Sequence, residues 1–95
     1  MYYVYILTNN HNTVFYTGMT DDLIRRNQEH QYKIYNGFTK KYNISKLVYF
    51  ESYQTHEQAI AREKIIKKWK RQYKINAIEE MNPYWSNLLP TLAEA

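Results

Sequence analysis

Aromatic and β-branched side chains crowd residues 2 to 8, the run Asn9-Asn10-His11-Asn12 is polar and turn-rich, and Thr13 to Met19 returns to β-prone residues. This pattern predicts an antiparallel hairpin with Tyr3 and Tyr5 on one face. Thr20-Asp21-Asp22 then offers side-chain oxygens for capping and negative charge for a helix N-terminus, and Leu23 to about Tyr32 continues as a helix. Lys33 to Ser45 reads as a polar loop around Asn36-Gly37, and Lys46 to Tyr53 returns to strand through Leu47, Val48, Tyr49 and Phe50. A second helix is expected to open at Thr55, whose hydroxyl and Gln58 fit a capping box. Its apolar stripe is Ala59, Ile65, Ile66, Trp69 and Tyr73, which makes it the longest predicted element. Ile75 to Met81 adds a short third helix before Asn82-Pro83 breaks it. Residues 86 to 95 carry no interpretable pattern. The expected fold is α/β (α+β): a small three-stranded antiparallel sheet flanked by helices in the order β-β-α-β-α-α, one domain over residues 2–85 with a tail at 86–95.

Ninety-five residues suit a single core, with roughly two thirds of the unfolded chain's surface buried. The formal net charge of +4 favours an anionic partner such as nucleic acid. Between Arg62 and Lys74 seven basic residues (Arg62, Lys64, Lys67, Lys68, Lys70, Arg71, Lys74) stand against one acid, Glu63, so the solvent face of the second helix is expected to be strongly positive. With no cysteine in the chain, disulfide frameworks and thiolate chemistry are excluded. The start MYYVYILTNN has no basic n-region and too short an apolar run for a signal peptide or a membrane span. A cytoplasmic protein without a membrane partner is therefore expected.

Two tyrosine segments, Tyr3-Val4-Tyr5 and Tyr16-Thr17-Gly18, fall on the paired strands, and Arg26 and His30, at i and i+4, point the same way from the following helix. Taken singly, each has a plain explanation: tyrosine is a good strand former, the two basic residues suit a solvated helix, and Glu63 suits an i, i+4 pair with Lys67. In this order and spacing they resemble the signature of the GIY-YIG nuclease superfamily, over most of residues 2 to 85. The closest likeness is to small stand-alone bacterial members, which share a tyrosine-valine-tyrosine first motif and a loop like Phe38-Thr39-Lys40-Lys41-Tyr42. The wider group includes homing endonucleases, some restriction enzymes and the UvrC incision subunit. The first motif lacks both Gly and Ile, and Thr17 replaces the central Ile of the second.

The resemblance implies a divalent-metal-dependent endonuclease acting on DNA phosphodiesters, in repair or recombination. It assigns Tyr5, Tyr16, Arg26 and His30 to catalysis, Glu63 to the metal, and Gly18 and Asn82 to support of the pocket. Arg26 falls eight residues after Gly18, as the superfamily's arginine does, and so is preferred to Arg25. Its planar, permanent charge suits phosphate oxygens. One carboxylate is a poor zinc site, but Mg²⁺ (or Mn²⁺) keeps several waters and takes other ligands from phosphate, so one weakly held ion is expected in the absence of substrate. Tyr5 is the implied proton acceptor, with Tyr16 orienting the nucleophile. A phenol of ordinary pKa near 10 must fall by ~3 units to serve at neutral pH, at roughly 4 kcal/mol. His30, with a reference value of about 6.5, is the alternative acceptor.

Lys40, Lys41, Lys64, Lys67, Lys68, Lys70 and Arg71 are the candidate contacts to nucleic acid, with DNA ahead of RNA, and a protein partner is expected to supply target choice. Two rivals remain: a non-catalytic nucleic-acid-binding module of the same fold, and a protein-interaction domain using exposed aromatic surface. The enzymatic reading carries one spatial expectation. The hairpin phenols, Arg26 and Glu63 should converge on a common solvent-reachable hollow.

Overall fold

The computed structural model describes residues 1–31, 41–44 and 46–90. Its elements are β1 (Tyr2–Thr8), β2 (Phe15–Thr20), α1 (Leu23–Gln31), β3 (Lys46–Tyr53), α2 (His56–Lys67) and α3 (Arg71–Met81). The sheet order is β2-β1-β3, with β1 antiparallel to both neighbours. The predicted architecture of a three-stranded antiparallel sheet with helices in the order β-β-α-β-α-α is the one observed.

Because side chains alternate along a strand, β1 contributes to two separate cores. Val4 and Ile6 join Val48, Ala59, Ile66 and Ile78 beneath α2 and α3. Tyr5 and Leu7 join Leu23 of α1 with Ile44 and Leu47 on the other face. A bulge in β3 serves this division. Ile6 pairs with Tyr49 while Leu7 pairs with Leu47, so Val48 is an extra residue between them. Its side chain joins the α2 and α3 face, and its carbonyl accepts a hydrogen bond from Asn82 Nδ2 at 3.2 Å.

Local chemistry sets the helix ends. Thr20 Oγ1 accepts from Asp22 N at 3.0 Å, and Asp22 Oδ1 accepts from Arg25 N at 3.0 Å to cap α1. At α2, Thr55 and Gln58 form both halves of the expected capping box. The helix predicted to run on through Tyr73 is divided instead. α2 closes as Lys68 N donates to Ile65 O at 3.1 Å and Trp69 N to Ile66 O at 3.0 Å, Lys70 is extended (φ −62°, ψ 154°), and α3 begins at Arg71, ahead of the predicted Ile75. No Gly or Pro marks this break. The core takes Ala59, Ile66 and part of Trp69, while Ile65 and Tyr73 of the expected apolar stripe are exposed. The basic run is therefore shared between two helices and the turn joining them. After α3, Leu88 N donates to Leu47 O at 2.8 Å and Asn87 Oδ1 accepts from Leu47 N at 3.3 Å, which pairs the outer edge of β3 at Leu47.

Thr17 lies on the α2 side of β2, paired with Ile6, and its buried hydroxyl has no hydrogen-bond partner among the described residues. Replacing it by the isosteric Val removes a desolvated polar group at constant shape, which is worth about 1 kcal/mol. Thr17→Val should therefore raise the midpoint of thermal unfolding by roughly 4–8 °C. Differential scanning calorimetry checks this, and a lowered midpoint would show that the hydroxyl has a partner after all.

Candidate active site

The register of the hairpin builds the first part of the site. Tyr5 pairs with Gly18, two residues from Tyr16 on the same face of β2, and the rings of Tyr5 and Tyr16 stand 6.3 Å apart, tilted by 36°. A Cβ on Gly18 would lie 2.5 Å from the Tyr5 hydroxyl, 2.6 Å from its Cζ and 3.1 Å from Tyr16 Cε1. Glycine is required here by the close approach of the phenol, since the backbone is not in the left-handed region. Tyr5 is only 1 % exposed, whereas Tyr16 is half-buried.

Helix α1 lies on this face through Leu23. Arg26, one turn further on, lines a narrow crevice with Tyr5, Leu7, Leu23 and Leu47. Its neighbour Arg25 turns outward and pairs with Asp21 at 3.2 Å. Tyr5, Tyr16, Gly18 and Arg26 thus share one side of the sheet. The side chain of His30 and the whole of Lys40 lie outside the described residues, as does most of the loop containing Phe38-Thr39-Lys40.

Glu63 is placed differently. Ala59, Glu63 and Ile66 follow i, i+4, i+7, so this carboxylate is on the sheet-facing side of α2, above the face opposite the phenols. Arg62, the preceding residue, is tied to β3. With about 100° per residue, Glu63 projects from the other flank of the helix, away from Arg62 and its partner on β3. It is 21 % exposed and 3.7 Å from Lys67. The phenols and Arg26 are brought together, and Glu63 is not brought onto their side. The helix bearing Glu63 and the helix bearing Arg26 thus pack on opposite faces of the sheet. Among the described residues no group of three or more His, Cys, Asp or Glu is gathered to hold a metal.

The remaining candidates are distributed. Asn82 is buried with its amide fully used: Nδ2 donates to Val48 O and to Ser86 O at 2.8 Å, and Oδ1 accepts from Ser86 N at 3.1 Å. It holds the turn after α3. Arg71 lies over the ring of Phe15 at 4.5 Å, which in turn stacks on Trp85. Lys41 covers Tyr42 at 5.4 Å. Lys64, Lys67, Lys68 and Lys70 are exposed along α2 and the turn, on the side away from Tyr5.

One polar centre was not anticipated. Glu51, on β3, accepts from Arg62 Nε at 2.8 Å and Nη2 at 3.0 Å, from the Tyr53 hydroxyl at 2.5 Å, and from the Tyr49 hydroxyl. Burial alone would push its carboxyl up, but the guanidinium and two phenols outweigh that and hold it below the usual carboxylate range. Burial, followed by the Glu51 charge, raises Tyr49 and Tyr53. The signal available in the sequence is the alternation Tyr49, Glu51, Tyr53, which puts a carboxylate between two phenols on one strand face.

A family model for the GIY-YIG catalytic domain matches residues 1–76. The chain belongs to this family. Similar GIY-YIG chains include a UPF0213 protein of Listeria monocytogenes, 34 % identical over 73 residues that make up 77 % of this chain and 81 % of that one. A UPF0213 protein of Clostridium perfringens is 37 % identical over 78 residues, 82 % and 83 % of the respective chains. The solution NMR structure of a UPF0213 protein from Bacillus halodurans superposes with a TM-score of 0.57 at 27 % identity, covering 92 % of this chain and 93 % of that one. The GIY-YIG assignment gives the chain a nuclease-like fold and implies nucleic acid as the substrate class; nucleases of this family typically use a divalent metal. Among the described residues no helix is long and apolar enough to cross a membrane.

Two outcomes follow for the GIY-YIG site and its neighbour. Gly18→Ala forces the buried Tyr5 phenol out of place and should destabilise the chain by about 1–3 kcal/mol in urea denaturation. A neutral result would mean that Tyr5 can move freely. The folded Glu51 carboxyl is held below its unfolded value, so its contribution to stability is present above the unfolded pKa of about 4.3 and is lost as pH falls through the folded value. The stability of Glu51→Gln should accordingly vary less than that of the parent chain in denaturation series taken from neutral pH down to about pH 3. Parallel curves would remove Glu51 from the acid response.

Proposed function

We propose that this chain is a divalent-metal-dependent endonuclease-like domain that hydrolyses DNA phosphodiesters, in repair or recombination. What supports the reading is the gathering of Tyr5, Tyr16, Gly18 and Arg26 on one face of the sheet in a chain of the GIY-YIG family. Arg26 places a planar, permanently charged guanidinium where it binds phosphoryl oxygens and stabilises the charge that develops on them. Solvent reaches Tyr16 more readily than Tyr5, which is buried. We therefore assign Tyr16 to orienting the attacking water, with Tyr5 behind it, held over Gly18 and keeping the Tyr16 ring in place. The water proton leaves to an ionised phenol, or to His30, which shares α1 with Arg26.

Glu63 is the residue that would hold the ion. A single, partly exposed carboxylate with one loose ammonium partner suits Mg²⁺ or Mn²⁺, which keep several waters, and does not suit zinc. When bound, the ion neutralises phosphate charge and makes a coordinated water more acidic. Glu63 is carried by α2, on the face of the sheet opposite α1 and Arg26. This separation favours a second reading. A non-catalytic module would hold nucleic acid by the same basic groups without turning it over.

Purified protein should be incubated with Mg²⁺ or Mn²⁺ and single-stranded, duplex, flapped and branched DNA. Cleavage by the parent chain is expected, with Arg26→Ala reduced on the order of 100-fold. Glu63→Gln should abolish turnover yet retain or tighten DNA binding, since it removes a negative charge together with the metal ligand. Activity that survives both substitutions would place the site elsewhere. Binding without cleavage across the panel selects the non-catalytic reading; if about four phosphates of a duplex are contacted, log K then falls with log salt at a slope of roughly −3.6.

A further inference from the structure

Helix α2 meets the sheet through a narrow apolar face. Within it only Ala59 and Ile66 are fully buried, the first a single methyl group, while Ile65 of the expected stripe is 50 % exposed. Apolar contact of this kind is non-directional, so two such residues hold the helix down on the sheet without fixing its angle of roll about its own axis. The rotation needs a second constraint.

The polar centre on β3 supplies it. Arg62 donates to both oxygens of Glu51, through Nε at 2.8 Å and Nη2 at 3.0 Å, and its Cζ lies 5.0 Å from the centroid of the Trp69 ring. An edge and a face of one rigid plane are thus engaged. Glu51 in turn accepts from the hydroxyls of Tyr49 and Tyr53, two residues to either side on the same strand face, so the carboxylate is itself braced. With side chains 16 % and 32 % exposed, Glu51 and Arg62 are largely shielded from water, and salt screens such a pair much less than a surface one. The other ion pair of α2, Lys67 with Glu63 at 3.7 Å, joins two residues of the same helix. It carries no information about how that helix is turned against the sheet.

We propose that Arg62 is a positioning residue: its bidentate pair with Glu51 sets the rotation of α2 against the sheet, and so the direction in which Glu63, the next residue, presents its carboxylate. The consequence for metal binding rests on the reading of Glu63 as the residue that holds the ion; the positioning itself does not. Lysine at position 62 keeps the charge and loses the planar fork. The burial of Ala59 and Ile66 then remains while the angle of the helix relaxes.

The chain has no cysteine, so Glu63→Cys introduces a single thiol whose rate of reaction with iodoacetamide reports how position 63 meets solvent. That rate is compared in this background alone and with Arg62→Lys or Ile44→Val added. Arg62→Lys conserves charge, so a changed rate reflects exposure and not a shifted thiol; a change of about threefold or more is expected. Ile44→Val trims the core beneath α1 on the other face and should cost stability without altering the rate. Circular dichroism checks folding. Should Arg62→Lys not fold, Tyr53→Phe, which removes one brace of Glu51 and is also charge-neutral, takes its place with a smaller change expected. A second measurement keeps Glu63 and titrates Mn²⁺ without nucleic acid, following the paramagnetic resonance of the free ion. Binding by the parent chain should vanish in Glu63→Gln and weaken about tenfold in Arg62→Lys, as for residues that orient a metal ligand. The proposal is overturned if the thiol reacts alike with and without the substitution at position 62 (or its replacement at 53), if Ile44→Val changes the rate as much, or if Mn²⁺ held through Glu63 binds Arg62→Lys as tightly as the parent. An altered rate with no Mn²⁺ binding in any chain upholds the positioning role and removes Glu63 from the metal instead.

Discussion

Strand β1 is hydrogen-bonded along both edges and covered on both faces, a degree of enclosure unusual for an antiparallel sheet, which commonly leaves one face wet. Its alternating side chains must therefore satisfy two cores at once. A slip of one residue would drive Tyr5 beneath α2 and Val4 beneath α1, so the register is strongly specified. The Gly18 contact sharpens it. Only where the facing residue lacks a Cβ does the Tyr5 phenol fit against β2, and only there does it lie beside Tyr16. The placing of the two phenols is a by-product of packing the central strand.

What could be read from the chain follows from which constraints are local. The hairpin, β3 and the Thr55/Gln58 capping box were legible because alternation and capping act within a few residues. The break after Lys67 was not, because every residue around it is compatible with helix and the deciding force is tertiary: Trp69 turns into the core while Tyr73 is left outside. The extra residue at Val48 and the role of Asn82 are coupled in the same way. A bulge carbonyl needs a donor, and the amide that supplies it lies 34 residues further along the chain. Residues 86–88 carry no periodicity, yet Leu88 N–H and the Asn87 side chain pair the outer edge of β3 at Leu47.

The candidate site was legible in part for the same reason. Tyr5, Tyr16 and Gly18 are set by hairpin register, and Arg26 by a helix capped only a few residues after the hairpin ends. The place of Glu63 depends on how α2 is rotated about its axis, which no local signal reports. Ala59 and Ile66 define the face that meets the sheet. The bidentate Arg62–Glu51 pair adds a directional constraint that apolar packing lacks, because a planar guanidinium on a fixed carboxylate tolerates little rotation.

Arg62 and Glu63 are consecutive, so fixing one toward β3 sends the other away from it. One helix then carries both a half-buried charge network whose groups satisfy one another and a partly exposed carboxylate. Arg62 is committed to Glu51, and Glu63 contacts Lys67 at 3.7 Å. The same rotation leaves the Arg62 and Trp69 flank facing α3 across an unfilled gap. The orientation of α2 satisfies the Arg62–Glu51 pair and leaves Glu63 partly exposed beside Lys67.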